Sequence, residues 1–164
     1  MTVNTMLLLA RRMTQETRQK PIVFAFDRDR TVRVNQLYKP DTLVPLAWVR
    51  YLAHETDHEV WAIGTQTLKG EADIPGIETL AERYYEAGID RLGEKNDWGR
   101  YEFRPVRRER LRMLAEEFPD SAEYIIVDDI DLSDVDGWSH YYAWDFVPAV
   151  ERGDVTIDPS GREE

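Results

Sequence analysis

Cysteine is absent from the 164 residues, which excludes disulfide scaffolds, thiolate metal sites and cysteine nucleophiles together. Histidine is scarce: with 3 in the chain, a zinc or iron site has to be assembled from these and carboxylates. Lysine is limited to Lys20, Lys39, Lys69 and Lys95, the other cations being arginines. The longest N-terminal apolar run, Met6–Ala10, is too short for a signal-peptide core and far too short for a membrane span. What the chain has in excess is carboxylate: 32 Asp plus Glu against 21 Lys plus Arg, a net charge of −11. So negative a surface argues against broad binding to nucleic acid or anionic membrane, both of which set Lys and Arg against phosphate. Carboxylate-rich, lysine-poor composition is also the kind found in proteins of high-salt cytoplasm, where salt screens self-repulsion. Apolar residues at 42 % exclude general disorder. The length is that of one domain, and the composition reads as soluble and cytoplasmic.

Residues 1–20 read as a polar leader, residues 21–150 as a core and residues 151–164 as a frayed acidic tail. After Pro21, the unbroken apolar run Ile22–Phe26 suits a strand buried on both faces of a parallel sheet. Asp41 is placed to cap a helix over about 42–55, with Leu43, Leu46, Val49 and Leu52 at helical spacing. Val60–Ile63 reads as a second buried strand. A helix over about 76–86, a short strand over 89–92 and a loop over 93–103 follow. The spacing of Leu111, Leu114, Ala115 and Phe118 predicts a helix over about 107–118. Strands at 124–127 and 141–146 complete the pattern, with Trp61, Tyr141, Tyr142, Trp144 and Phe146 expected in the core. Alternating strands and helices predict a three-layer α/β/α sandwich on a mostly parallel, Rossmann-like sheet.

Ligands of such sheets bind beyond the carboxyl ends of the strands. There the chain places Asp27 and Asp29 after the first strand, Thr65 after the second, and Asp128 and Asp129 after a later one. Carboxylates crowded at adjacent strand ends repel one another and call for a cation, and all-oxygen ligation favours magnesium. A magnesium ion there would in turn attract a phosphate.

With FAFDRDRTV, VWAIGT, Arg104-Pro105 ahead of a helix, and YIIVDDIDLSD in that order, the chain resembles the haloacid dehalogenase superfamily of aspartate-nucleophile phosphatases over roughly residues 21–147. The resemblance implies that Asp27 is the nucleophile and Asp29 the general acid and base. It implies magnesium on Asp27, the Asp29 backbone carbonyl and Asp129, joined by Asp128, with Asp134 in support. Thr65 and Arg104 are the implied phosphate contacts, Arg107 and Arg108 competing with Arg104; apart from the resemblance, at least three of the five arginines of 104–112 are expected on a solvated helix face. Arg30 stands where many members carry Gly. The span from Asp29 to Thr65 leaves no room for a full cap domain. By resemblance, the phosphorylated substrate can therefore be macromolecular. A catalytically silent module on the same fold is one alternative. Another comes from His54-Glu55-Thr56-Asp57-His58, which spells the H-E-x-x-H pattern of zinc peptidases. The immediate onset of the Val60 strand argues against a helix around its second histidine.

Overall fold

In the computed structural model of the chain, residues 6, 20–35, 43–64, 66–88, 97–98 and 106–157 are described. In chain order these form β1 (Ile22–Phe26), β2 (Val32–Arg33), β3 (Val44–Pro45), α1 (Leu46–His54), β4 (Glu59–Ala62), α2 (Lys69–Ala72), α3 (Ile77–Glu86), α4 (Arg107–Glu117), β5 (Glu123–Asp128), β6 (Ser139–Tyr142) and α5 (Phe146–Glu151).

The four longer strands form one sheet in the order β4-β1-β5-β6, with all three pairings parallel. β1 is buried at every position, because its alternate side chains enter two separate cores. Ile22, Phe24 and Phe26 join Val49 and Leu52 of α1 and Phe146 and Ala149 of α5. Val23 and Ala25 join Ile77, Leu80 and Ala81 of α3 and Leu111, Met113 and Leu114 of α4. A strand clothed on both faces has no solvent side, so polar alternation is absent from its sequence. The architecture is mixed α/β on a parallel four-stranded sheet. Among the described residues no helix is long and apolar enough to cross a membrane.

Three local expectations are corrected. α1 starts at Leu46 rather than near 42, because Val44 and Pro45 pair with Val32 and Arg33 in a small parallel ladder; Asp41 lies outside the described residues. The strand expected over 141–146 ends at Tyr142. Phe146, Ala149 and Val150 repeat at helical spacing and bury the start of α5 in the first core. Tyr141 and Tyr142 are half-buried, while Trp144 is 45 % exposed and stacks on Tyr142 at 4.8 Å. Finally, the chain does not fray from Glu151: Val155 is 2 % exposed and sits in the first core. The expected strand 89–92 and loop 93–103 lie outside the described residues except for Asp97 and Trp98, as does the leader apart from Met6 and Lys20.

Candidate functional site

The register aligning Phe26 with both Ala62 and Val127 brings three strand ends level. The Asp27 amide donates to the Val127 carbonyl at 3.0 Å, and the Ile63 amide to the Phe26 carbonyl at 2.9 Å. Asp27 leaves β1 beside Asp128, the last residue of β5, and Asp129 follows. One carboxylate oxygen from each of Asp27, Asp128 and Asp129 lies within 4.8 Å of the other two. Asp27 is buried and Asp128 wholly so; Asp129 is half-buried.

Among the described residues, one cation reaches this trio. Arg107, the first residue of α4, donates from Nη1 to both Asp128 oxygens at 2.9 and 2.7 Å, and its Nη2 lies 3.6 Å from Asp27 Oδ1. The Ile130 amide donates to Asp128 Oδ1 at 3.1 Å, and the buried Thr31 hydroxyl donates to Asp27 Oδ2 at 3.3 Å. Gly64, after β4, walls the other side: a Cβ there would stand 2.4 Å from Asp27 Oδ1. Only a residue without a side chain lets the strand end approach so closely. Gly64→Ala should therefore push the Asp27 carboxylate out of place and reduce any turnover that depends on Asp27 by about 10²-fold, with the far-ultraviolet circular dichroism unchanged. Full activity in this variant would show that the close approach is irrelevant.

Burial pushes the Asp27 carboxyl up to about 7, the neighbouring Asp128 charge adds to the rise, and Arg107 works against it. Asp128 is likewise raised by burial, against the Ile130 amide and Arg107. Among the described residues one guanidinium faces three carboxylates, so once they are ionised the trio carries excess negative charge that a hard divalent cation would neutralise. The donor set is all oxygen and fits magnesium. Addition of about 10 mM magnesium at about pH 8 should raise Tm by roughly 3–8 °C, as expected for a ligand at ten to a hundred times Kd. The shift should vanish in Asp129→Asn and shrink at about pH 5, where protons occupy the raised carboxyls. A Tm indifferent to magnesium at about pH 8 would exclude the cation site.

Of the residues the sequence pointed to, the structure brings together Asp27, Asp128 and Asp129. The exposed Asp29 carboxylate lies outside the trio's close oxygen contacts and accepts from Arg28 Nη1 at 2.9 Å. Arg28 is anchored in turn by Nε and Nη2 on Glu71 at 2.9 and 2.6 Å, which holds the Glu71 carboxyl below its usual range. Asp134 pairs with Arg108 rather than supporting the trio. Thr65 and Arg104 lie outside the described residues. Of the two competing arginines that are described, Arg107 and Arg108, it is Arg107 that faces the carboxylates, and the signal was present: Arg107 precedes Leu111 and Leu114 at i+4 and i+7 on the buried stripe of α4. Arg110 shares this stripe; far from being solvated, it is buried and donates to the Ile63 carbonyl at 3.1 Å. Thr31 and Gly64 were the site residues missed, although both lie within the quoted motifs. Arg30 has φ 60°, the left-handed conformation that glycine adopts without strain.

The H-E-x-x-H segment does not form a zinc-binding helix face. α1 ends at His54, whose Nε2 meets the Ala72 carbonyl at 2.6 Å, whereas the His58 ring is held between the backbones of Ile22 and Ile157.

Compared with known proteins, the chain matches no family model, no curated protein and no solved structure.

Proposed function

We propose that the chain is a magnesium-dependent phosphomonoester hydrolase of haloacid dehalogenase type, working through an aspartyl-phosphate. The observation carrying this reading is the trio Asp27, Asp128 and Asp129 at adjacent parallel strand ends, with Arg107 spanning two of them. Helices buried in two cores on opposite sides of β1 support the three-layer α/β/α sandwich expected of that class. Asp27, Asp129 and Asp128 would hold the magnesium together with the Asp29 carbonyl, and the ion would supply positive charge against the phosphoryl oxygens.

In this reading, Asp27 attacks phosphorus, forming its own P–O bond as the P–O bond to the leaving group breaks. Asp29 gives the leaving oxygen its proton and then takes one from the water that cleaves the aspartyl-phosphate. Asp29 must first turn from Arg28 toward the trio. The Thr31 hydroxyl holds Asp27 Oδ2, leaving its other oxygen for the reaction. Arg107 is assigned the cation role on its contacts with Asp27 and Asp128, and Thr65 remains the second phosphate contact of the proposal. Between Asp29 and β4 the described residues form only β2, β3 and α1, so a macromolecular phosphoester fits this reading as well as a small one.

The test is hydrolysis of p-nitrophenyl phosphate with and without magnesium across a range of salt. Turnover should require magnesium and rise with ionic strength, because salt screens the acidic surface from an anionic substrate. No magnesium-dependent turnover at any salt concentration would leave the silent binding module, the reading favoured by the Asp29–Arg28 pair.

A further inference from the structure

We infer that His58 is an acid-sensitive clasp tying residues 155–157 to the start of β1. The ring is 6 % exposed. The Ile22 amide donates to its Nδ1 at 3.0 Å, and its Nε2 meets the Ile157 carbonyl. An amide can only donate, so Nδ1 is bare and Nε2 carries the single proton, which it gives to Ile157. Phe24 packs edge-on against the ring at 5.5 Å. One imidazole thus joins three chain segments: β1, the approach to β4, and the stretch beyond α5.

The arrangement requires a neutral ring. A proton on Nδ1 sets two N–H donors face to face and removes the acceptor of a buried amide, which costs more than never having formed the bond. Open hollows flank the ring. Among the described residues, the titratable and charged groups lining them are His54, Asp57, Glu59 and Asp73 in one and Lys20, Glu123 and Asp154 in the other. What the clasp holds down is apolar. Val155 lies in the first core, with Ile157 packed against it, so protonation frees a segment whose underside is hydrophobic. The clasp sits at the amino end of β1, opposite the carboxylates, and does not depend on the phosphatase reading.

The test is an NMR titration of the full chain from about pH 8 to about pH 5, across the usual histidine range. It follows the His58 ring, the Ile22 amide and the backbone order of Val155–Ile157. The expected result is a common midpoint. As the ring gains its proton, the Ile22 amide shifts and the order parameter of 155–157 falls from about 0.85 to below about 0.6, while β5 stays rigid. In His58→Gln this pH dependence should disappear, whatever order the variant retains. The clasp is overturned if 155–157 stay ordered through the His58 titration, if they loosen without it, or if the ring remains neutral until the whole chain unfolds.

Discussion

Asp27→Asn should lose at least about 10³-fold in magnesium-dependent turnover while gaining stability in the metal-free state. The two effects share one cause. In the fold the Asp27 carboxyl is raised to about 7 by burial, with Asp128 adding to the rise, whereas in the unfolded chain it ionises near 4. Between those values the unfolded chain has released a proton that the fold still holds, so stability contributed by this group falls as pH rises from about 4 to about 7. Above that window the fold carries an ionised carboxylate at a cost on the order of 2–4 kcal/mol. An amide of the same shape avoids the cost, and the variant should melt about 3–8 °C higher at about pH 8, with little gain at about pH 4. Calorimetry without magnesium at both pH values checks the stability, and p-nitrophenyl phosphate hydrolysis checks the activity. A variant that keeps its activity removes Asp27 from the chemistry. One that melts lower at about pH 8 removes the strain argument.

Arg107→Leu should produce the largest loss of stability. Its guanidinium bonds both oxygens of Asp128, a residue with no exposed surface, and its charge draws the Asp27 and Asp128 carboxyls downward. Removing one partner of a buried ion pair leaves the other desolvated and alone, typically at about 3–5 kcal/mol. Here the orphaned carboxyls can take up protons in acid, so the loss should be greatest at about pH 8 and smaller at about pH 5. Urea denaturation of the variant at both pH values tests this. The double variant Arg107→Leu/Asp128→Asn should recover much of the loss, because the unpaired charge has gone. Equal losses at both pH values, or no recovery in the double variant, would mean that Arg107 serves only as packing.

The parallel sheet was legible from unbroken apolar runs, and the convergence of Asp27, Asp128 and Asp129 from the two of them that end abruptly in acid. Such runs occur where both faces of a strand are covered, and the polar residue that ends one marks where the sheet stops. Arg107 and Arg110 were harder to read because charge suggests solvent. Their places on the buried stripe of α4 outweigh composition, and each pays for burial with specific acceptors, Asp128 and the Ile63 carbonyl. The side chain of Asp29 could not be placed from spacing: its direction is set by Arg28 and hence by Glu71, a residue more than forty positions away. The segment from Val155 to Ile157 read as a frayed tail because no periodicity of its own marks the burial of Val155 in the first core.

The middle position of β1 also bears on how the chain assembles. Its two neighbours come from later sequence, and the Phe26–Val127 pairing closes a loop of roughly 100 residues, the kind of long-range contact that makes parallel sheets slow to form. During synthesis β1 waits, apolar on both faces, until β5 has emerged. The carboxylate trio therefore comes into being only when β5 joins β1, and binding of a divalent cation would mark that step of folding.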